Sequence, residues 1–376
     1  MSGRARIVIA PDSFKGSVDA AAASAHLAKG WREARPDDEV LSLPMADGGE
    51  GTMAAFAAAG SGAELQPITV TGPHGAPVRT SWLRVRAAGG RDTAVVELAA
   101  TSGIELLSGR LRPMTAHTLG FGQALDAALR SGADQIYAAV GGSSSTDAGV
   151  GMLRGLGARA LDRIGNEVPL GGSGLEAIST IDLDAVRARV DRDITVLSDV
   201  TAPLIGPTGA AAIFGPQKGA SSTQIAILDR GLSHVAAILG VDPTLPGTGA
   251  AGGTGAALAA IGAQLRSGAA VVADAVGLQQ ALGDADLLIT GEGRFDLQSM
   301  SGKVIGHLVH LARTSGTPVS LVAGQIAADV SMPFAHAVSL SALAGGTAAA
   351  QATPERWLRE AGRSLASRFG RANRAL

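Results

Sequence analysis

Carboxylates, cations and glycines that could handle phosphate fall together in a few short stretches of this chain. Lys15 closes Pro11-Asp12-Ser13-Phe14-Lys15, and Asp47 opens Asp47-Gly48-Gly49-Glu50-Gly51. Asp147 ends Gly141-Gly142-Ser143-Ser144-Ser145-Thr146-Asp147, and Asp199 opens Asp199-Val200-Thr201. Lys218 lies in Gly215-Pro216-Gln217-Lys218-Gly219, while Glu292, Arg294 and Asp296 share Gly291-Glu292-Gly293-Arg294-Phe295-Asp296. Cations, carboxylates and anion-binding backbone suit phosphoryl transfer, where catalysis is mostly positioning and charge stabilisation. In the Gly141–Asp147 stretch the glycines would let a phosphate approach the backbone, and four consecutive hydroxyls would add donors. No ordering of Ser, His and Asp singles out a hydrolase triad, and neither the G-x-x-x-x-G-K-[ST] loop nor the protein-kinase signature set occurs. A literal G-x-G-x-x-G, Gly247-Thr248-Gly249-Ala250-Ala251-Gly252, follows Val241-Asp242-Pro243-Thr244-Leu245-Pro246. Two prolines bar that run from a central strand, so the dinucleotide reading fails.

The elements that must position these groups are strands entering loops and helices leaving them. Arg6-Ile7-Val8-Ile9-Ala10 is a continuous apolar run, as expected of a parallel strand covered on both faces. Ser17 is the expected cap of the helix that follows, which ends before Pro36. Glu39–Leu43 reads as the next strand, and Met53–Ala59 as its helix. In open α/β sheets ligands bind at the carboxyl ends of strands, where Asp12, Ser13, Lys15 and Asp47 fall. Ile136–Val140 reads as a buried strand, the Gly141–Asp147 loop follows, and a helix begins near Val150, which together make an anion site. Ile194–Ser198 is a strand ending at Asp199, and Ala285–Thr290 and Val319–Ala323 are strands flanking a helix over Val304–Arg313. Helices are expected over Thr118–Leu129, Ser222–Leu239 and Pro354–Arg368.

Between residues 61 and 98 the texture changes to strand-like runs separated by Gly/Pro turns, as in an antiparallel or mixed sheet. The expected architecture is therefore α/β with a discontinuous parallel domain, 1–60 plus 285–376, carrying an inserted mixed α/β domain over 61–284. Hydrophobic residues make up 46% of the 376, which favours a buried core over disorder, and aromatics at 3% leave Ala, Val, Leu and Ile to fill it. A net charge of −2 without a basic run argues against nucleic acid. With no cysteine, disulfides and thiolate metal sites are excluded and a reducing compartment is compatible. The first apolar run is too short for a signal peptide and none reaches a membrane span, so a cytoplasmic enzyme is expected.

The resemblance then becomes specific. Ile7-Val8-Ile9-Ala10-Pro11-Asp12-Ser13-Phe14-Lys15 is similar to the opening of type 1 glycerate kinases, the glycerate 2-kinase-like family. So are Ala46–Thr52, Gly141-Gly142-Ser143, Asp199-Val200-Thr201, Phe214–Ala220, Gly249–Gly253 and Thr290–Asp296, in the family's order along essentially the whole chain. One departure is Ser144-Ser145-Thr146-Asp147-Ala148-Gly149, where the family often has Ala-Thr-Asn-Asp-Gly-Gly; an amide is exchanged for a hydroxyl. The resemblance implies two α/β domains, the parallel one Rossmann- or flavodoxin-like, with the site in the cleft between them. It implies ATP-dependent phosphorylation of D-glycerate to 2-phosphoglycerate. The alternatives are a kinase of another small hydroxy acid on the same scaffold, or a non-enzymatic two-domain small-anion binder.

Roles follow as expectations. Lys15 and Arg294 are to hold the substrate carboxylate, with Asp12, Ser13 and Glu292 beside it, because a guanidinium matches a carboxylate's geometry. Gly141, Gly142, Ser143, Ser144, Thr146 and Asp147 are to hold the nucleotide. Lys218 is to neutralise the transferring phosphate. Asp47 is to hold Mg²⁺, although an Asp-Gly turn is its other reading. Asp199 is the expected base, with Asp12 as its competitor.

Overall fold

The structure is a computed structural model that describes residues 4–59, 62–86, 90–190, 192–300, 303–328 and 333–369. The chain forms two compact units. Among the described residues no helix is long and apolar enough to cross a membrane.

The first unit comprises Met1–Asp47, Ala54–Ala59 and Ala269–Leu376. Its five strands are Arg6–Ile9, Glu39–Ser42, Leu287–Phe295, Val319–Ile326 and His336–Ser339. Numbered along the chain they lie in the order 2-1-3-4-5, and every pairing is parallel. Ile7, Val8, Ile9, Leu288, Ile289, Leu321 and Val322 are all completely buried, which is why these strands read as unbroken apolar runs. The helix Ala20–Ala34 packs on the closing helix Pro354–Arg368. Glycine permits that approach: a Cβ on Gly30 would lie 1.8 Å from the Arg359 carbonyl oxygen.

The cap of Ala20–Ala34 differs from the sequence expectation. Asp19, not Ser17, occupies the N-cap and accepts from the Ala22 N–H at 2.7 Å, while the Ser17 hydroxyl donates to the Phe14 carbonyl. A carboxylate there satisfies the orphan N–H and also meets the positive end of the helix dipole.

The second unit comprises Gly48–Met53 and Gly60–Gly268. The six strands of its larger sheet lie in the order Gln264–Arg266, Asp193–Leu197, Gln135–Ala139, Asp92–Glu97, Pro77–Arg86, Ala63–Thr71, and Arg159–Leu161 with Thr180–Asp182 form a separate antiparallel pair. In the larger sheet the first four run parallel, and the last two are added antiparallel. These two antiparallel strands are largely half-buried or exposed, with alternation along Leu65–Thr71, which produces the change of texture in the sequence.

The division of the chain falls at 268, not at 284. Helices Gly268–Ala275 and Leu278–Gly283 carry buried Val272, Leu278 and Leu282, and the latter helix packs on Val304–Ser315. Thr317 adds a bond from its hydroxyl to the Leu282 carbonyl at 3.1 Å. Nothing local marks that boundary, because a short helix looks the same whichever sheet it covers. The Gly-rich Gly249–Gly255 run opens the helix Ala250–Ala260 with Ala251, Gly252 and Gly253 all at positive φ.

Candidate functional site

In the first unit a cavity of about 280 Å³ opens at the carboxyl ends of the parallel strands. It lies where the strand order reverses, between Arg6–Ile9 and Leu287–Phe295, the place where open α/β sheets bind ligands. Asp12 and Lys15 come from the loop after the first strand, Asp47 from the loop after the second, and Glu292 and Arg294 from the end of the third. Backbone bonds fix these segments to one another: Asp12 N–H to the Gly291 carbonyl at 2.8 Å and Met45 N–H to the Pro11 carbonyl at 2.9 Å.

The electrostatics of this cavity are acidic at its base. Burial, and then the neighbouring charge of Asp47, push the Asp12 carboxyl up to about 7, against the Ser13 N–H and Lys15, which favour its anion. Ser13 N–H donates to Asp12 Oδ1 at 2.6 Å. Burial likewise raises the Glu292 carboxyl, opposed by the Ser299 hydroxyl and Lys303. Glu292 Oε1 is buried without a hydrogen-bond partner among the described residues. Lys15 and Arg294 are exposed, and Arg294 forms no ion pair with Asp296 or Glu292 among the described residues. Its charge is available to a ligand.

In the second unit the Gly141–Gly149 loop follows the strand Gln135–Ala139 and leads into the helix Val150–Gly155. Three of its four hydroxyls are spent inside the protein. Ser144 donates to the Ser102 carbonyl at 2.7 Å, Ser145 to Asp147 Oδ1 at 3.1 Å, and Ser143 accepts from Lys218 Nζ at 2.8 Å. Thr146 Oγ1 is buried with no hydrogen-bond partner among the described residues. Asp147 is wholly buried and accepts from Thr118 N–H and hydroxyl, Ser145, Gly149 N–H and Gly151 N–H. Lys218 is buried as well; desolvation lowers its ammonium to about 8, and the charge of Asp147 holds it from falling further. The expected ligands Ser143, Ser144 and Asp147, and the expected phosphate partner Lys218, thus brace the loop through their side chains. Gly142 is exposed at φ +74°, a conformation that favours glycine. Asp199 lies half-buried two residues past the strand Asp193–Leu197.

Several residues escaped the sequence reading. Glu97 ends the strand Asp92–Glu97, is buried, and accepts from Met53 N–H at 2.6 Å in the first turn of the helix Thr52–Ala59. Burial lifts its carboxyl to about 7. Its bond to Met53 satisfies one of the orphan N–H groups at the start of that helix. Lys303 lines the cavity from the N-cap of Val304–Ser315, a helix end where the dipole disfavours a cation. That misfit was the available signal. Gln325 and Thr347 line the same cavity and carry no charge pattern that would mark them.

Comparison with known proteins agrees in kind along the chain. The model of the glycerate kinase family matches residues 7–370. A glycerate 2-kinase of Escherichia coli is 44% identical over 341 residues, covering 89% of this chain and 88% of that protein. A glycerate kinase of Bacillus subtilis is 38% identical over 341 residues, with 89% and 88% covered. A crystal structure from Salmonella typhimurium, provisionally designated glycerate kinase 2, superposes with a TM-score of 0.81 at 38% identity and covers 100% of both chains.

Proposed function

The chain belongs to the glycerate kinase family and is a kinase, and from that premise we propose that it transfers the γ-phosphoryl group of ATP to D-glycerate, giving 2-phosphoglycerate and ADP. The observation that carries this reading is the cavity of about 280 Å³, in which exposed cations and half-buried carboxylates converge on a space suited to a molecule of a few heavy atoms. We read the 2-1-3-4-5 sheet as flavodoxin-like, with its ligand at the switch point.

Arg294 and Lys15 hold the glycerate carboxylate, the guanidinium by paired N–H donors. Ser13 and Glu292 flank the hydroxyl that reacts. Asp12 accepts the proton of the reacting hydroxyl as that oxygen bonds to the γ-phosphorus and the bond to the β–γ bridging oxygen breaks. Asp12 is preferred to Asp199 because it lines the cavity that holds Lys15 and Arg294, whereas Asp199 belongs to the second unit.

Among the described residues no three acidic or histidine side chains group closely enough to hold a metal ion. Mg²⁺ needs less than that, since it binds through one or two carboxylates plus phosphate oxygens and water. Asp47 fits the part: its charge already raises Asp12, a repulsion that a cation beside it relieves. When bound, Mg²⁺ would neutralise charge on the β- and γ-phosphate oxygens. The Gly141–Asp147 loop offers the nucleotide phosphates its backbone rather than its side chains, with Gly142 at the surface and Lys218 behind the loop.

A coupled assay of ADP release with D-glycerate, followed by phosphorus NMR of the product, tests the reading. Turnover to 2-phosphoglycerate is expected. A 3-phosphoglycerate product would overturn the regiochemistry, and absence of turnover would overturn the substrate.

A further inference from the structure

We infer that Gln325, steadied by Thr347, determines substrate specificity by reading the hydroxyl of the acceptor that is not phosphorylated. The inference rests on the proposal that this cavity takes the hydroxy acid. Charged side chains supply much of the lining: Asp12, Lys15, Asp47, Glu292, Arg294 and Lys303. Those groups account for a carboxylate, a reacting hydroxyl and a metal. They leave the second hydroxyl of a dihydroxy acid without a neutral partner.

The sheet register puts one in place. Gln325 lies near the end of the strand Val319–Ile326 and is aligned with Arg294 on the adjacent parallel strand. Aligned residues on neighbouring strands project from the same face about 4.8 Å apart, close to the span of a three-carbon acid. The residues before them are both glycine: a Cβ on Gly324 would meet the Gly293 carbonyl oxygen at 2.3 Å. The two strand ends therefore approach closely, and the side chains of Arg294 and Gln325 stand side by side at the cavity wall.

One end of the Gln325 amide bonds the Thr347 hydroxyl at 2.6 Å, and Thr347 also lines the cavity. Among the described residues Thr347 is the side-chain partner of that amide. Thr347 opens the helix Thr347–Ala352 directly after Gly345-Gly346, so its position is set by a turn of the chain and not by the strand. Because Nε2 donates to Thr347, the carbonyl Oε1 is the aimed end, and it can accept from an alcohol. A site that hydrogen-bonds a substrate hydroxyl discriminates against the analogue lacking it, because its own polar group is then left unpaired.

The test compares D-glycerate with D-lactate and 3-hydroxypropanoate, each of which keeps the carboxylate and one of the two hydroxyls. Whichever analogue retains the reacting hydroxyl should be used by the unaltered enzyme about 10–100-fold less well in kcat/KM than D-glycerate. Gln325→Leu should shrink that preference to under about 3-fold, by losing D-glycerate turnover and not by gaining the analogue, with KM for ATP unchanged. Gln325→Asn, which keeps the amide but withdraws it by one methylene, should lose the preference too. Thr347→Val should lose part of it and Thr347→Ser restore it, a rescue that a purely structural role for Thr347 does not predict. A Gln325→Leu or Gln325→Asn enzyme that keeps the full preference overturns the inference. An unaltered enzyme that phosphorylates none of the three acids overturns instead the proposed function beneath it.

Discussion

The two units of this protein use the same residue types in opposite ways. In the first, Asp12, Asp47, Glu292, Lys15 and Arg294 line a cavity, and the carboxyls of Asp12 and Glu292 are held above their ordinary range. In the second, Asp147 and Lys218 are buried and bonded to internal partners, Asp147 to Thr118 and Lys218 to Ser143. An acid whose neighbours disfavour its charge is poised for a cation or a proton, and one that receives five internal donors is a structural brace. The difference teaches that partners, more than residue type, separate a reactive carboxylate from a structural one.

The largest expected effect would break that comparison at once if it failed. Asp12→Asn should lower kcat by about 10²–10⁴-fold with little loss of thermal stability, while Asp199→Asn changes kcat by less than about 10-fold. Steady-state kinetics beside melting curves decide it, and the reverse ranking returns the role of base to Asp199. Next comes the brace. Asp147→Ala strips the partners of Thr118 and Gly151 and leaves Lys218 without its counter-charge, so it should cost about 3–5 kcal/mol in denaturant unfolding. A stable Asp147→Ala protein that had merely lost ATP affinity would make Asp147 a nucleotide ligand after all.

Smaller effects sharpen the contrast. Arg294→Ala should raise KM for glycerate about 10–100-fold and leave KM for ATP within about 3-fold, because a charge-assisted bond to the carboxylate is lost. Equal effects on both substrates would contradict the assignment. The smallest concerns pH. Glu97 has a folded carboxyl near 7 against an unfolded value of 4.5, so the folded state binds the extra proton between them. The stability it contributes is complete below about 4.5 and is lost as pH rises through 7. Asp12 acts with the same sign. Glu97→Gln should therefore flatten the fall in stability across that window, read from unfolding curves at several pH values. An unchanged slope would mean that Glu97 titrates normally.

Local pattern was enough for much of the frame. The apolar run Ile7–Ala10 announces a doubly covered strand, and the helix Pro354–Arg368 could be bounded from its periodicity and its leading proline. The boundary at 268 was not legible, because helices Gly268–Ala275 and Leu278–Gly283 show which unit they cover only through contacts made elsewhere. In the candidate sites, Asp12, Asp47, Glu292 and Arg294 were findable by the rule of strand ends. Gln325 and Thr347 were not, since a neutral amide and a hydroxyl leave no signal until the chain brings them to one wall.

What the amino-acid sequence determined by itself was where strands end and which chemically able residues stand there, since both depend on neighbours within a few positions. It also carried the ordered blocks by which the family is known. Only the tertiary structure decided which of those residues face a cavity. Asp12 and Asp147 each lie in a loop that follows a strand, and nothing in either loop says which carboxylate will face a cavity. Asp12 meets Asp47 and Glu292, whose charges are like its own. Asp147 meets Thr118, twenty-nine positions earlier, and the ammonium of Lys218 farther along the chain. Burial and charge at a carboxyl group are sums over such distant neighbours, and those neighbours are chosen only when the chain folds.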